Sequence, residues 1–100
     1  MARMSVYEVR FRARSTDVLA DDPAGQLRAV LEVMPGIAHS LGADHDAGTR
    51  TVTGGFRLEV ARGMAAAARD SSRLAKEALK LAGMVDARLV ELTIALRQSQ

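Results

Sequence analysis

His39 and His45 are the only imidazoles in the chain, and Asp44 and Asp46 flank the second of them. A histidine beside a carboxylate is the pattern of a general base with an orienting partner, or of ligands to a divalent cation. On a strand running from about Ala38 to His45 the two rings share a face. Their separation along that strand is about 20 Å, too far for one ion to bridge. Asp46-Ala47-Gly48 is in any case ordinary turn chemistry that needs no metal. No metal and no cofactor is expected. The remaining carboxylates near loops are Asp17, Asp21 and Asp22. Paired carboxylates can do acid–base work, but Asp21 and Asp22 precede Pro23 and read better as helix-cap residues. A ligand-binding regulator or small enzyme would have its site near the loop Ser15–Asp22, with Asp17, His39 and His45 as its polar groups.

Other chemistries are excluded or left without support. There is no cysteine, so thiol nucleophiles, thiolate metal sites and disulfides are absent. Gly42, Gly48, Gly54, Gly55 and Gly63 match neither a Walker loop nor a dinucleotide fingerprint. Ser71-Ser72 falls inside a helical stretch, with no strand–turn–helix elbow around it. With no catalytic constellation, a non-enzymatic role is the expectation. The net charge is only +2, and the pI of 9.7 reflects a small arginine excess. Arg62, Arg69, Arg73, Lys76 and Lys80 form a basic line, but Asp70 and Glu77 interrupt it, as on a solvated helix face. Weak nucleic-acid binding along that line is an alternative, not the expectation. RNA-binding sheets stack bases on exposed aromatics. The three aromatics here, Tyr7, Phe11 and Phe56, fall on inward positions. No apolar run is long enough to cross a membrane. Met1-Ala2-Arg3-Met4 leads straight into a strand, so no signal peptide is expected and the cytoplasm is the expected compartment.

The elements that must position these residues are legible from periodicity. Ser5–Arg14 alternates, with Tyr7, Val9, Phe11 and Ala13 on one face and Glu8, Arg10, Arg12 and Arg14 on the other. Asp22-Pro23 opens a helix with Asp22 as N-cap; Leu27, Val30, Leu31 and Met34 make its apolar stripe, and Pro35-Gly36 ends it. A second helix between Gly63 and Gly83 is rich in alanine. Met64, Ala67, Ala68, Ala75, Ala78, Leu79 and Ala82 share one face, Ser71 and Leu74 flank it, and Gly83 suits a left-handed C-terminal cap. Asp70, Arg73 and Glu77 are spaced for surface ion pairs. Arg88–Leu96 returns as a strand with Val90, Leu92, Ile94 and Leu96 inward.

Between the helices two hairpins compete. One turns at Asp46-Ala47-Gly48-Thr49 and runs the next strand from Arg50 to Ala61, with Val52, Gly54, Phe56, Leu58 and Val60 on one face. The other turns at Gly54-Gly55, where two glycines suit a tight loop. The first is preferred because it keeps one phase through both glycines. It predicts that Phe56 is buried, and that Phe56→Ala costs about 3–5 kcal/mol.

Strand, helix, strand, strand, helix, strand is the split pattern of the ferredoxin-like plait: an α+β fold, one antiparallel four-stranded sheet with two helices on one face. One hundred residues make a single domain, 1–100. The plait hosts many functions and assigns none. Glu8, Arg10, Arg12, Arg14, Arg57, Glu59, Glu91 and Arg97 then cover its open face, with Val6, Leu89, Thr93 and Ala95 as uncharged residues among them. Those four are the expected interface of a homodimer formed through the sheet face or the last strand, and Leu89→Lys is expected to shift it toward monomer.

Overall fold

The computed structural model describes residues 4–15, 22–61 and 63–99. Alternating apolar and polar residues build β1 (Ser5–Arg14) and most of β3 (Thr51–Val60), and β2 (His39–Asp46) and β4 (Arg88–Ser99) flank them. The helices are α1 (Pro23–Val33) and α2 (Met64–Leu81). The strands form one antiparallel sheet in the order β2-β3-β1-β4, the ferredoxin-like plait. β1 and β3 hold its centre. The hairpin turns after Asp46, whose Oδ1 accepts the Gly48 N–H at 3.0 Å; Arg50 follows with φ +54°. Gly54 and Gly55 lie inside β3 and make no turn.

Local chemistry sets the helix ends. Asp22 Oδ1 accepts the Gly25 N–H at 3.0 Å, and Pro23 fills the first turn, where its missing donor costs nothing. At the end of α2, Gly83 takes φ +89°. Its N–H and that of Met84 then reach back to the carbonyls of Lys80 and Leu79 at 3.1 and 2.9 Å. This is the Schellman arrangement, and Met84 is buried as the motif favours.

The core lies between the sheet and the helices. Tyr7, Val9, Phe11 and Ala13 meet Val52, Phe56, Leu58 and Val60 beneath Leu27, Leu31, Leu74, Ala75, Ala78 and Leu79. Phe56 is 0% exposed. Its ring lies 6.2 Å from that of Phe11, tilted by 55°. Alanines on α2 let the helix approach the sheet, and the aromatic residues of the strands supply the volume. Met64, expected on the buried stripe, is exposed because it is the first residue of α2.

Three irregularities of register correct the expected faces. On β2, Ser40 pairs with Phe56 and Gly42 with Gly55, leaving Leu41 as an extra residue; Gly42 accommodates the bulge with φ +97°. His39 therefore stands opposite Arg57 on the open face, while His45 stands opposite Val52 on the helix face. The two rings do not share a face. On β4, Arg12 pairs with Glu91 and Ala13 with Leu89, so Val90 is the extra residue. Leu89 turns toward the core and packs against it, and Val90 is 54% exposed. The expected phase holds beyond the bulge, where Leu92 and Ile94 pack on the core. Leu96 shares the row of Tyr7 but is 52% exposed, on an edge strand with no neighbour outside it. A second bulge sets Arg97 between the Tyr7–Leu96 and Val6–Gln98 pairs.

Candidate functional site

Both helices cover one face of the sheet, so the side chains free to meet another molecule in an ordered array are those of the other face. Register reads them as rows across the order β2, β3, β1, β4. Asp46, Thr51, Arg14 and Arg88 form the first row. Asp44, Thr53, Arg12 and Glu91 form the second. Gly42, Gly55, Arg10 and Thr93 form the third, with Leu41 bulged beside Gly42. His39, Arg57, Glu8 and Ala95 form the fourth. Glu59 and Val6 lie in the fifth, next to the Arg97 bulge.

Charge-assisted contacts order the β1–β4 side of this face. Arg12 Nη2 lies 2.6 Å from Glu91 Oε2, and Arg10 Nη2 lies 3.0 Å from Glu8 Oε1. Glu8 Oε2 is also 3.3 Å from Arg97 Nε. Glu8 is thus gripped by two guanidiniums, and its side chain is only 15% exposed. Each of these pairs contributes under about 1 kcal/mol to stability where it is solvated. Their effect is to hold the arginine heads in place.

In the middle of the face the charged array is broken. Gly55 has no side chain, Leu41 leans over it, and a groove of about 240 Å³ opens beside them. Leu41, Asp44 and Thr53 wall one side; Arg10, Arg12 and Glu91 wall the other. A side chain there would be tightly placed: a Cβ would lie 3.2 Å from Leu41 Cβ and 3.3 Å from the Val9 carbonyl oxygen. The Leu41 bulge and Gly55 are one device, since the bulged side chain lies over the place where a Cβ would stand. Neither was singled out from sequence as a site residue. The Gly54-Gly55 pair inside a strand was the available signal, because mid-strand glycine marks a close approach.

The sequence-nominated residues fall in different places. His39 lies on the open face; His45 is exposed on the helix side of β2. Asp17 lies outside the described residues, as does most of the loop Ser15–Asp22. Ser15 is buried and its Oγ donates to Asp86 at 2.9 Å, tying the end of β1 to the approach of β4. Val6, Thr93 and Ala95 are on the open face, and Leu89 is not. Along α2, Arg69, Arg73, Lys76 and Lys80 are exposed, and Arg73 leans toward Glu77 at 3.8 Å; Arg62 lies outside the described residues. Among the described residues no three His, Asp or Glu side chains gather at one point. No described helix is long and apolar enough to cross a membrane. A second hollow, of about 280 Å³, lies between Met4, Val60 and the first turns of α2.

No protein-family model matches the chain, and no curated protein matches it. Among solved structures it is similar to the crystal structure of PH0061, with 14% identity and a TM-score of 0.41. The match covers 96% of this chain and 52% of that one, so the chain spans about half the length of that protein.

Proposed function

We propose that this protein is a small non-enzymatic domain that works by associating with a second copy of itself through the open face of its sheet. One observation carries the reading. The helices occupy one face, and the other carries uncharged positions on either side of the charged row of β1: Leu41, Thr53 and Gly55 on β2 and β3, and Thr93 and Ala95 on β4. Uncharged positions interspersed with arginine, a residue enriched in protein interfaces, suit a face that another protein covers. Four strands of this length present a footprint on the order of 600 Å², near the ~800 Å² per partner of a standard interface. Pairing along the free edge of β4 is less well supported. Two bulges interrupt that strand, and Arg88, Glu91 and Arg97 guard it, both of which oppose edge pairing.

Light scattering over a concentration series tests the reading. The wild type is expected at twice the 10.7 kDa chain mass. A Thr53→Arg variant sets a further cation beside Arg12 in the middle of the face and is expected at the monomer mass. Val33→Lys, on the far side of the molecule at the end of α1, should leave the mass unchanged. A wild type that stays monomeric at millimolar concentration removes the proposal.

A further inference from the structure

The open face is divided electrically along a line parallel to its strands. The β2–β3 half carries Asp44, Asp46 and Glu59 against Arg57: three carboxylates and one guanidinium, a formal charge of −2. The β1–β4 half carries Arg10, Arg12, Arg14, Arg88 and Arg97 against Glu8 and Glu91: five guanidiniums and two carboxylates, a formal charge of +3. Two copies packed face to face have their two-fold axis in the plane between them. If that axis ran across the strands, each strand would lie over its own counterpart, acidic half on acidic half and basic on basic. If it runs along the strands, between β3 and β1, each acidic half lies on a basic half.

We infer that the occupant of this face is a second copy of the chain, docked about a two-fold axis that runs along the strands. The inference rests on the self-association proposed above and specifies its geometry. In each row, a β3 residue then faces the β1 residue of the other copy, and a β2 residue faces β4. Arg57 meets Glu8 of the second copy, and Asp46 meets Arg88. Gly55 meets Arg10, so the guanidinium of the second copy enters the groove beside Gly55 and Leu41, with Asp44 at its rim. The groove is the socket for that side chain. Asp44 faces Glu91, the one opposition of like charges, and Glu91 is already held by Arg12 at 2.6 Å. The strands of aligned sheets cross at up to about 30°, which these long side chains can span. Complementary charge of this kind fixes orientation and rejects the alternative axis more than it adds affinity.

Paired charge reversals test the axis. Asp46→Lys sets an ammonium against Arg88 of the other copy, and Arg88→Glu sets a carboxylate against Asp46. Each variant alone is expected to dissociate about tenfold more readily, since each reverses two symmetry-related contacts. Mixed in equal amounts, the two should form a heterodimer of near wild-type affinity, because both of its contacts are then attractive. Native mass spectrometry resolves the three species. Asp46→Lys also loses the exposed turn hydrogen bond to Gly48, so circular-dichroism melting checks that each variant is folded. Should the turn fail, Arg57→Glu, mid-strand and exposed, is the substitute and is likewise expected to weaken the homodimer. A wild-type dimer whose mass is indifferent to these reversals, or folded variants that do not recombine on mixing, overturns the axis while leaving self-association standing. A monomeric wild type overturns both.

Discussion

Gly54 stands directly across the ladder from Phe11, so close that a Cβ on the glycine would lie 2.6 Å from Phe11 Cζ and 2.9 Å from Cε1. Leu27 Cδ2 closes the same space at 3.2 Å. The aromatic ring occupies the room a side chain would need, and the Phe11–Phe56 pair is built on that vacancy. Gly54→Ala is expected to destabilise the fold by about 1–3 kcal/mol through overpacking. Urea denaturation reads this as a lower midpoint at an unchanged slope. Combining it with Phe11→Leu should cost less than the two single changes summed, because they relieve each other at the same point. Full additivity would show that the ring and the glycine do not share this space.

Leu89 and Leu96 separate the core from its margin. Leu89 follows the bulge inward and packs on the core, so Leu89→Lys is expected to lower stability by about 2 kcal/mol or more, as burial of a polar group does. It no longer serves as a probe of association, since unfolding would mask any change of mass. Leu96→Lys, at a half-exposed site outside the open face, should change stability by under about 1 kcal/mol. Thermal melts of the two variants side by side check the assignment, and equal losses would place the bulge elsewhere.

Ser71 lies fully buried on the inner face of α2, and its Oγ finds no hydrogen-bond partner among the described residues. A buried hydroxyl without a partner loses its hydration and gains nothing in return. Alanine is also the better helix former. Ser71→Ala is therefore expected to stabilise the protein by about 1 kcal/mol, seen as a higher denaturation midpoint. A loss of stability would mean that the hydroxyl has an accepting group within reach.

Much of this architecture is written locally. Period-two alternation in Ser5–Arg14 and across Val52–Val60, the Asp22-Pro23 start of α1, and the alanine stripe closed by Gly83 each act over a few residues, so they can be read in a linear chain. The preferred hairpin follows the same logic: Asp46 makes its own turn through Gly48 N–H, whereas Gly54 and Gly55 answer to neighbours far away in sequence. Part of the open face was legible too, since Val6, Thr93, Ala95 and the charged residues around them keep their expected side.

The tertiary structure alone decided the rest. A bulge adds one residue to one strand and inverts the alternation beyond it, and it is set by pairing with the neighbouring strand. Leu41 and Val90 look like any other strand residues in the sequence, yet the first separates His39 from His45 and the second turns Leu89 into the core. The groove beside Gly55 and the division of the open face into acidic and basic halves arise in the same way. They are properties of the order β2-β3-β1-β4, which sets residues remote in sequence side by side, and no period along the chain encodes that order.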